Sequence, residues 1–496
     1  MTTLADPRWQ PACTLSRFLS RLLEARPALQ APLEASWQRA LGEDQLVERL
    51  KPEATDDDTL KRQLRQLRQF TLAHLALRDL AAEAPLAEIV EGMTMLADVT
   101  TNTALRVLHK QLTEQYGEPL DSQGRPQRLM VIGMGKLGGR ELNVSSDVDY
   151  IFVYPEDGET AGPKKIDNFD FFSRLGKRLI AALDEITADG QVFRVDMRLR
   201  PNGDSGPLVC SIDALENYFI TQGREWERYA WIKARIMNTG DNEQPEWMDA
   251  LKRIARPFVF RKYLDFGAIN AMRDLHAQIR REVTRKDKID HIKLGPGGIR
   301  EIEFMAQVFQ LIRGGRDSTL QVRPTLSVLK QLVERRLMPP ETEAELREAY
   351  IFLRRLEHRL QWIEDQQTHL LPNNDHDRAT VAEAMGFADW DAMLAVLNNH
   401  RSIVSRQFET VFSDPEGGVH PLAGVWLGQI DHEQRIELLG ERGFRQPQAA
   451  VARIDELLAS GRYQQLPATN RERLDAVGPR LIEAAAATAH PDLTLQ

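Results

Sequence analysis

Four short apolar runs, rich in β-branched residues and bounded by glycine and proline, interrupt an otherwise helical sequence of 496 residues. The runs are RLMVIG (128–133), DVDYIFVY (147–154), VFRVDMRLR (192–200) and PLVCS (207–211). Runs of this kind predict strands. Between the second and the third, Phe172, Leu175, Leu179 and Leu183 recur on one helical face. This order of strand, helix and strand predicts a small α/β module.

Helical periodicity dominates on both sides of these runs. Leu60, Leu64 and Leu67 mark one helical face before them, and long stretches such as ETEAELREAYIFLRRLEHRLQWIEDQQ follow them. We therefore predict an α+β fold, with a small mixed-sheet module embedded between mostly helical regions. The predicted parts are a helical N-terminal region (1–120), the α/β module (121–240), a helical bundle domain (241–412), a linker (413–424) and a small helical segment (425–496).

The composition disfavours several classes of function. The chain has 64 basic and 73 acidic residues and a net charge of -9, which argues against a surface that attracts nucleic acid. Two cysteines, Cys13 and Cys210, are too few for a disulfide framework. The N-terminus lacks the pattern of a signal peptide, and no stretch has the length of a membrane span. We expect a cytoplasmic protein that binds neither nucleic acid nor membrane.

Carboxylates and arginines cluster in the second and third runs. Asp147 and Asp149 lie two residues apart, so on a strand both side chains emerge from one face and can ligate one or two Mg²⁺ ions. Asp196 supplies a third carboxylate, and Arg198 and Arg200 alternate with it, so that a strand would place all three on one face. The set predicts a phosphoryl-transfer or nucleotidyl-transfer site with Mg²⁺ as its cofactor.

A glycine- and serine-rich loop precedes the aspartates in GMGKLGGRELNVSSDVD. Backbone and hydroxyl donors of such a loop can approach phosphate oxygens closely, and a lysine adds positive charge. The candidate phosphate-binding residues are Gly135, Lys136, Gly138, Gly139, Ser145, Ser146, Arg198 and Arg200.

Two simpler interpretations compete with this one. The same glycines fit the G-x-G-x-x-G fingerprint of dinucleotide-binding proteins, but that fingerprint requires a single acidic residue at the end of the next strand. An Asp-x-Asp pair is also common at solvated strand ends. The combination of the glycine loop, the paired aspartates and Asp196 favours the transfer site over both.

Further along the chain, two features have uncertain roles. In KLGPGGIREIEF (293–304), Glu301 and Glu303 fall in the first turn of a predicted helix, where acidic residues are ordinary capping groups. That this segment lies beside the carboxylates is a hypothesis. His358, His369 and His376 lack the mutual spacing of metal ligands, and we interpret them as surface or core residues.

A glycine-rich loop that leads into Asp-x-Asp on a strand resembles the DNA polymerase β-like nucleotidyltransferase superfamily. A closer resemblance is to the bifunctional glutamine synthetase adenylyltransferase/adenylyl-removing enzymes, and it covers about residues 60–412 in the family's order. The segments that carry it are GMGKLGGRELNVSSDVDYIFVY (133–154), VFRVDMRLRPNGDSGPLV (192–209), GREWERYAWIKARIM (223–237), whose Trp226 and Glu227 we predict to lie on a helix, RPFVFRKYLDF (256–266) and GGIREIEF (297–304).

The resemblance implies a function and site roles. That family has an N-terminal half that removes AMP from a tyrosine of glutamine synthetase by phosphorolysis, yielding ADP, and a C-terminal half that adds AMP from ATP. The sequence motifs ELN-x-SSD-x-D and YPEDG resemble the N-terminal half. By this resemblance Asp147 and Asp149 bind the metals, Asp196 completes the site, and the loop with Lys136 contacts phosphate. The implied partners are glutamine synthetase, the PII signalling protein, phosphate, ADP or ATP, and glutamine as effector.

The sequence also leaves alternatives. The family's full chain has a second SD-x-D copy, which this sequence lacks, so we expect either a separated N-terminal half or a version with a single activity. ATP-dependent adenylylation of glutamine synthetase is the main rival function. A non-catalytic regulatory scaffold is the second, although three clustered carboxylates argue against it. A nucleic-acid polymerase is the weakest, because no extended basic groove is evident.

Overall fold

The computed structural model describes residues 4–238, 245–261, 290–412 and 422–495. The chain divides into two compact units, Met1–Phe408 and Glu409–Gln496. The first combines helices with a mixed five-stranded sheet, so the predicted α+β class is confirmed. None of the helices in the described ranges is both long enough and apolar enough to cross a membrane.

The N-terminal region is helical, as the leucine spacing predicts. Its α-helices are α1 (Gln10–Leu15), α2 (Arg17–Ala25), α3 (Gln30–Glu34), α4 (Glu43–Glu48), α5 (Asp57–Leu80) and α6 (Leu86–Tyr116). The Asp56 side chain caps α5 by accepting a hydrogen bond from the Thr59 N–H at 2.8 Å. Leu60, Leu64 and Leu67 are buried along α5. The two long helices pack on each other and form the platform on which the sheet module rests.

The module follows the predicted order. Its elements are β1 (Met130–Gly133), α7 (Gly135–Gly138), β2 (Val148–Tyr154), α8 (Asn168–Asp184), β3 (Val195–Asp196), β4 (Val209–Ser211), α9 (Ile212–Thr221), α10 (Glu225–Trp231) and β5 (Arg235–Ile236). β2 pairs antiparallel with β1, which pairs antiparallel with β5. Along its other edge β2 pairs in parallel, first with β3 and then with β4. The sheet is therefore mixed, and β2 is its central strand.

The two faces of β2 have different surroundings. Tyr150 and Phe152 belong to the hydrophobic core that the sheet shares with the N-terminal helices and α8, and the Tyr150 hydroxyl contacts Thr101 Oγ1 of α6 at 2.7 Å. Strand side chains alternate between faces, so Asp149 lies on the face away from this core. α8 packs on α5 and α6, and its Phe172 and Leu175 are buried, as predicted. The packing thus anchors β2 and leaves Asp149 on the opposite face.

One detail of the predicted module is wrong. The third apolar run forms only a two-residue strand, because residues 197–201 lie outside any strand and lead into a turn. Trp226 and Glu227 lie on α10, as predicted; this helix ends at Trp231, and β5 follows at Arg235–Ile236. A turn at residues 232 and 233 lets the chain return to the sheet edge.

Helices return after the module, as predicted for the described residues. They are α11 (Pro245–Val259), α12 (Ile299–Arg313), α13 (Thr325–Glu334), α14 (Pro340–Trp362), α15 (Asp375–Ala384) and α16 (Trp390–Phe412). Residues 262–289 lie outside the described residues, and with them residues 262–266 of the RPFVFRKYLDF motif and part of the predicted helical bundle domain. Most of the predicted linker, residues 413–421, also lies outside them.

The second unit is a small helical body with its own core. Its helices are α17 (Ala423–Leu427), α18 (His432–Glu441), α19 (Pro447–Ala459), α20 (Gly461–Gln464), α21 (Ala468–Ala486) and α22 (Pro491–Thr494). Trp426 is buried in that core, and its indole N–H donates to Asp475 at 3.0 Å. Gly478 packs directly under the Trp426 ring, where a Cβ atom would collide with it.

Candidate active site

The pairing of β2 with β3 brings two of the predicted carboxylates together. Asp149 and Asp196 are register partners in the parallel ladder, so their side chains share a face of the sheet. Asp147 immediately precedes β2 and lines a cavity of about 440 Å³ together with Asp196. Backbone hydrogen bonding fixes the strand start, because the Met134 N–H donates to the Asp149 carbonyl oxygen at 2.9 Å. The three carboxylates therefore converge on one edge of the sheet.

The pKa of Asp149 is perturbed where the three carboxylates converge. Burial, together with the neighbouring carboxylates of Asp147 and Asp196, raises the pKa of Asp149 from 3.8 to about 7. Lys293 and Arg198 act in the opposite direction and offset only part of the effect. The site is therefore short of positive charge when all three carboxylates are ionised.

Asp196 is held by a neighbouring guanidinium group. Arg198 Nε donates to Oδ1 at 3.0 Å and to Oδ2 at 2.8 Å, and its backbone N–H donates to Oδ1 at 2.8 Å. The hydrogen bonds from Arg198 lower the pKa of Asp196. Arg198 itself is 73% exposed and lines the same cavity, so it can turn toward an arriving anion at little structural cost.

Arg200 does not share the face of Asp196 and Arg198. Its guanidinium group is largely buried and donates to the carbonyl oxygen of Met197 at 2.8 Å. The predicted alternation is wrong here because the strand has already ended at Asp196. Arg200 braces the turn that follows β3.

The glycine loop packs tightly against the carboxylates. Gly135 has φ +53, and a Cβ atom there would lie 3.1 Å from Asp149 Oδ2. A Cβ atom on Gly138 would collide with the carbonyl oxygens of Gly133 and Lys233. These two glycines are therefore required for the approach of the loop to β2 and to the residues before β5.

Gly139, Ser145 and Ser146 lie further along this loop. Gly139 follows α7, and its N–H donates to Gly135 O at 3.0 Å. Ser145 is buried: its N–H donates to Gln361 Oε1 at 3.1 Å, and its carbonyl oxygen accepts from Arg194 at 3.0 Å. Ser146 is half-buried next to Asp147. Contact between these three residues and phosphate stays a prediction.

Lys136 is placed differently from the sequence expectation. Its ammonium group is buried and lies 3.5 Å from Glu357 Oε1 on α14, which directs it into the protein. Burial lowers the pKa of Lys136 to about 8. Burial alone would raise the pKa of Glu357, but Lys136 and then His369 hold it well below its ordinary value. Lys136 thus joins the glycine loop to the helical region.

A buried charge cluster behind the loop was not foreseen from the sequence. Glu141 accepts from Lys233 Nζ at 2.6 Å and from the Thr325 N–H at 2.7 Å. Arg354 of α14 donates to the Glu141 carbonyl oxygen at 2.7 Å and to Asn143 Oδ1 at 2.5 Å. The titratable members of the cluster are Lys136, Glu141, Lys233, Glu303, Arg354 and Glu357. These residues are widely separated in the sequence, and no local pattern signals that they meet.

The KLGPGG segment lies beside the site, as hypothesised. Lys293 acts electrostatically on Asp149, and Glu303 acts on Lys136. His369 is not a simple surface or core residue, because its Nε2 lies 2.9 Å from Glu357 Oε1 and its ring stacks on His291 with centroids 5.2 Å apart. The stretch from Lys293 to Glu303 and the stretch around His369 both belong to the helical region that follows the sheet module.

The residues present fit a divalent cation in charge and donor chemistry. Carboxylate oxygens are the ligands that Mg²⁺ prefers, and burial together with two neighbouring carboxylates raises the pKa of Asp149, so a cation would be stabilised at this point. In the described ranges no three His, Cys, Asp or Glu side chains are already arranged as a metal-binding group. Arg198 hydrogen-bonds both oxygens of Asp196, and Gln367 hydrogen-bonds one oxygen of Asp147.

The mixed sheet, the glycine loop and the carboxylates at the start of β2 and on β3 are the arrangement of a nucleotidyltransferase. Comparison with known proteins agrees. Residues 8–250 match the family model described as glutamate-ammonia ligase adenylyltransferase, and residues 273–412 match the one described as GlnD PII-uridylyltransferase.

Similar curated proteins cover nearly the whole chain, and three of them share the name bifunctional glutamine synthetase adenylyltransferase/adenylyl-removing enzyme. The protein of Aromatoleum aromaticum is 57% identical over 484 residues, which cover 98% of this chain and 51% of that protein. The protein of Chromobacterium violaceum is 52% identical over 488 residues, which cover 98% of this chain and 54% of that protein. The protein of Burkholderia pseudomallei is 48% identical over 520 residues, which cover 99% of this chain and 56% of that protein. The chain belongs to this adenylyltransferase family and spans about half the length of the relatives it matches.

Proposed function

We propose that this chain removes AMP from the adenylylated tyrosine of glutamine synthetase by phosphorolysis, yielding ADP. The observation that carries the proposal is the convergence of Asp147, Asp149 and Asp196 at the glycine loop, in a chain whose relatives are named for adding and removing adenylyl groups. The ELN-x-SSD-x-D motif of the loop resembles the AMP-removing half of the family, and this supports removal of AMP over its addition.

In the proposed reaction an oxygen of inorganic phosphate attacks the phosphorus of tyrosyl-AMP. The new P–O bond forms as the bond to the tyrosine oxygen breaks, the products are ADP and tyrosine, and the tyrosine oxygen takes a proton from solvent. Phosphate is already anionic near neutral pH, so no strong base is needed. Asp147, Asp149 and Asp196 would hold Mg²⁺, which when bound would supply positive charge against the negative charge that develops in the reaction.

The chain's own residues have distinct tasks in this scheme. Asp149 must lose its proton before it can act as a ligand, and Lys293 favours that loss. Arg198 must release Asp196, and its guanidinium group is then free to bind the incoming phosphate in the cavity that it lines. Lys136 remains paired with Glu357 and positions the loop.

Partners follow from the same proposal. Glutamine synthetase is the protein substrate. The match of residues 273–412 to a PII-uridylyltransferase model supports the PII signalling protein as a regulator, with glutamine as a small effector. We propose a cytoplasmic location for this regulation of nitrogen assimilation.

The test is a direct assay of the chain with adenylylated glutamine synthetase, Mg²⁺ and labelled phosphate. Labelled ADP from the parent chain, and none from an Asp147→Asn/Asp149→Asn variant of equal thermal stability, is the expected result. ATP-dependent labelling of unmodified glutamine synthetase, without labelled ADP, would instead establish the adenylylating activity that the relatives' names also contain. Neither product, with PII and its uridylylated form added in turn, would favour a non-catalytic scaffold.

A further inference from the structure

The segment that follows α14 reaches back to the carboxylate site. Gln367 is exposed, and its Nε2 donates a hydrogen bond to Asp147 Oδ1 at 2.9 Å. The two residues are 220 positions apart in the sequence, so the tertiary fold creates the contact. One oxygen of the first aspartate is therefore already engaged by a neutral amide from the helical region.

This segment is held just after Gln367 by backbone hydrogen bonds to residues 290–292. The Ile292 N–H donates to the His369 carbonyl oxygen at 2.9 Å, and the Leu371 N–H donates to the Asp290 carbonyl oxygen at 3.1 Å. The His369 ring adds its contact to Glu357 on α14. Gln367 thus projects from an anchored stretch of backbone, which favours a defined position of its amide over that of a free surface side chain.

We propose that Gln367 is a positioning residue of the metal site, which orients the Asp147 carboxylate so that Oδ2 faces the cation. This inference rests on the metal-dependent reaction proposed above. A ligating carboxylate is commonly held by a hydrogen bond from a residue that does not touch the metal, and loss of such a partner typically weakens metal binding or activity by about 10-fold to 100-fold.

The chemistry of an amide suits this task better than that of a cation. A glutamine donates hydrogen bonds without carrying charge, so it fixes Asp147 without competing with a divalent ion for the carboxylate's negative charge. Asp196 differs, because the Arg198 guanidinium group must leave before both of its oxygens are available. Asp147 is therefore already oriented before a cation binds, whereas Asp196 must first lose its partner.

The neighbouring glutamine provides a matched control. Gln366 is also exposed, and its carbonyl oxygen, rather than its side-chain amide, is the group that bonds within the described residues, accepting from the Thr368 N–H at 2.8 Å. Gln367→Met and Gln366→Met remove the same amide from adjacent positions and keep a similar side-chain length. A purely structural role of the segment would alter the melting temperature of the metal-free chain, whereas a positioning role alters metal affinity.

The experiment measures binding of Mn²⁺, as a spectroscopic substitute for Mg²⁺, to the full chain by electron paramagnetic resonance, with melting temperatures in EDTA alongside. We expect Gln367→Met to raise the Kd for Mn²⁺ by about tenfold or more at an unchanged melting temperature, and Gln366→Met to change neither. Any activity lost in Gln367→Met should return at high metal concentration.

The failures of the two proposals are distinguishable. Equal Mn²⁺ affinity in the parent and Gln367→Met would overturn the positioning role alone, as would a lower melting temperature without a change in Kd. A parent chain that binds no Mn²⁺ would overturn the metal-dependent reaction and the positioning role with it.

Discussion

Replacing Asp149 by asparagine should stabilise the metal-free chain while it abolishes activity. The pKa of Asp149 is raised from 3.8 to about 7 by burial and by the carboxylates of Asp147 and Asp196. Between these values the folded chain keeps a proton that the unfolded chain has released. The free energy of unfolding therefore falls as the pH rises toward about 7, and the full loss is present above it. At about 1.4 kcal/mol per pKa unit, the loss is roughly 4 kcal/mol.

Asparagine has nearly the same shape and cannot ionise, so the substitution removes this loss. For a unit of about 408 residues, an unfolding entropy of about 2.1 cal/mol/K per residue converts roughly 4 kcal/mol into a rise of about 5 °C in the melting temperature. The rise applies near pH 8. Near pH 5 less than half of this loss is present, so the gain falls to about 2 °C.

Differential scanning calorimetry in EDTA at these two pH values measures the effect. The control is Asp249→Asn on α11, where the carboxylate is 61% exposed and pairs with Lys252, and where we expect a change within about 0.5 kcal/mol at either pH. Added Mg²⁺ should stabilise the parent more than Asp149→Asn, because a ligand stabilises the state that binds it. A variant no more stable than the parent near pH 8, or equally stabilised at both pH values, would refute the reasoning.

Two further predictions concern the arginines. Arg354→Met should lower the free energy of unfolding by about 3–5 kcal/mol in urea titrations, because it removes a buried cation beside Glu357 and leaves the loop acceptors Glu141 O and Asn143 Oδ1 without their donor. The exposed Arg347→Met on the same helix should cost less than about 0.5 kcal/mol. Similar losses from both variants would contradict the cluster's role. Arg198→Ala should raise the KM for phosphate about tenfold with an unchanged melting temperature, because Arg198 binds the phosphate. Arg200→Ala should instead lower the melting temperature, because Arg200 braces the turn after β3. The reverse pattern would contradict both roles.

Local patterns were sufficient to predict much of the fold. The leucine spacing in α5 and the alternation in β2 depend on neighbours a few residues away, and both predictions are confirmed. The extended third strand was predicted wrongly because the alternation continues through Arg200 although the backbone turns. The backbone already turns at residues 198–200, and Asn202 and Gly203, at φ +61 and +55, continue the turn. A Pro-Asn-Gly signal directly after an apolar run is stronger evidence for a turn than the alternation is for a strand.

The candidate site was predictable only in part, for a similar reason. The proximity of Asp147, Asp149 and Asp196 follows from two strands that pair side by side, which the order of elements suggests. The direction of the Lys136 side chain does not follow from the order of elements, because its partner Glu357 lies on a helix far along the chain. A lysine in a glycine-rich loop has two plausible anions, a phosphate or a buried carboxylate. Sequence alone offers no measure of which is closer.

The placement of charge shows that the helical region is a structural part of the site. Arg354 and Glu357 of α14 hold the loop through Glu141 and Lys136, and Gln367 from the segment after that helix holds Asp147. If α14 were absent, Glu141 and Lys136 would lose these partners, and the loop that sets the start of β2 would lose its support. The aspartates therefore belong to a site that the module and α14 build together. A partner that shifted α14 would act directly on the geometry of Asp147 and Asp149.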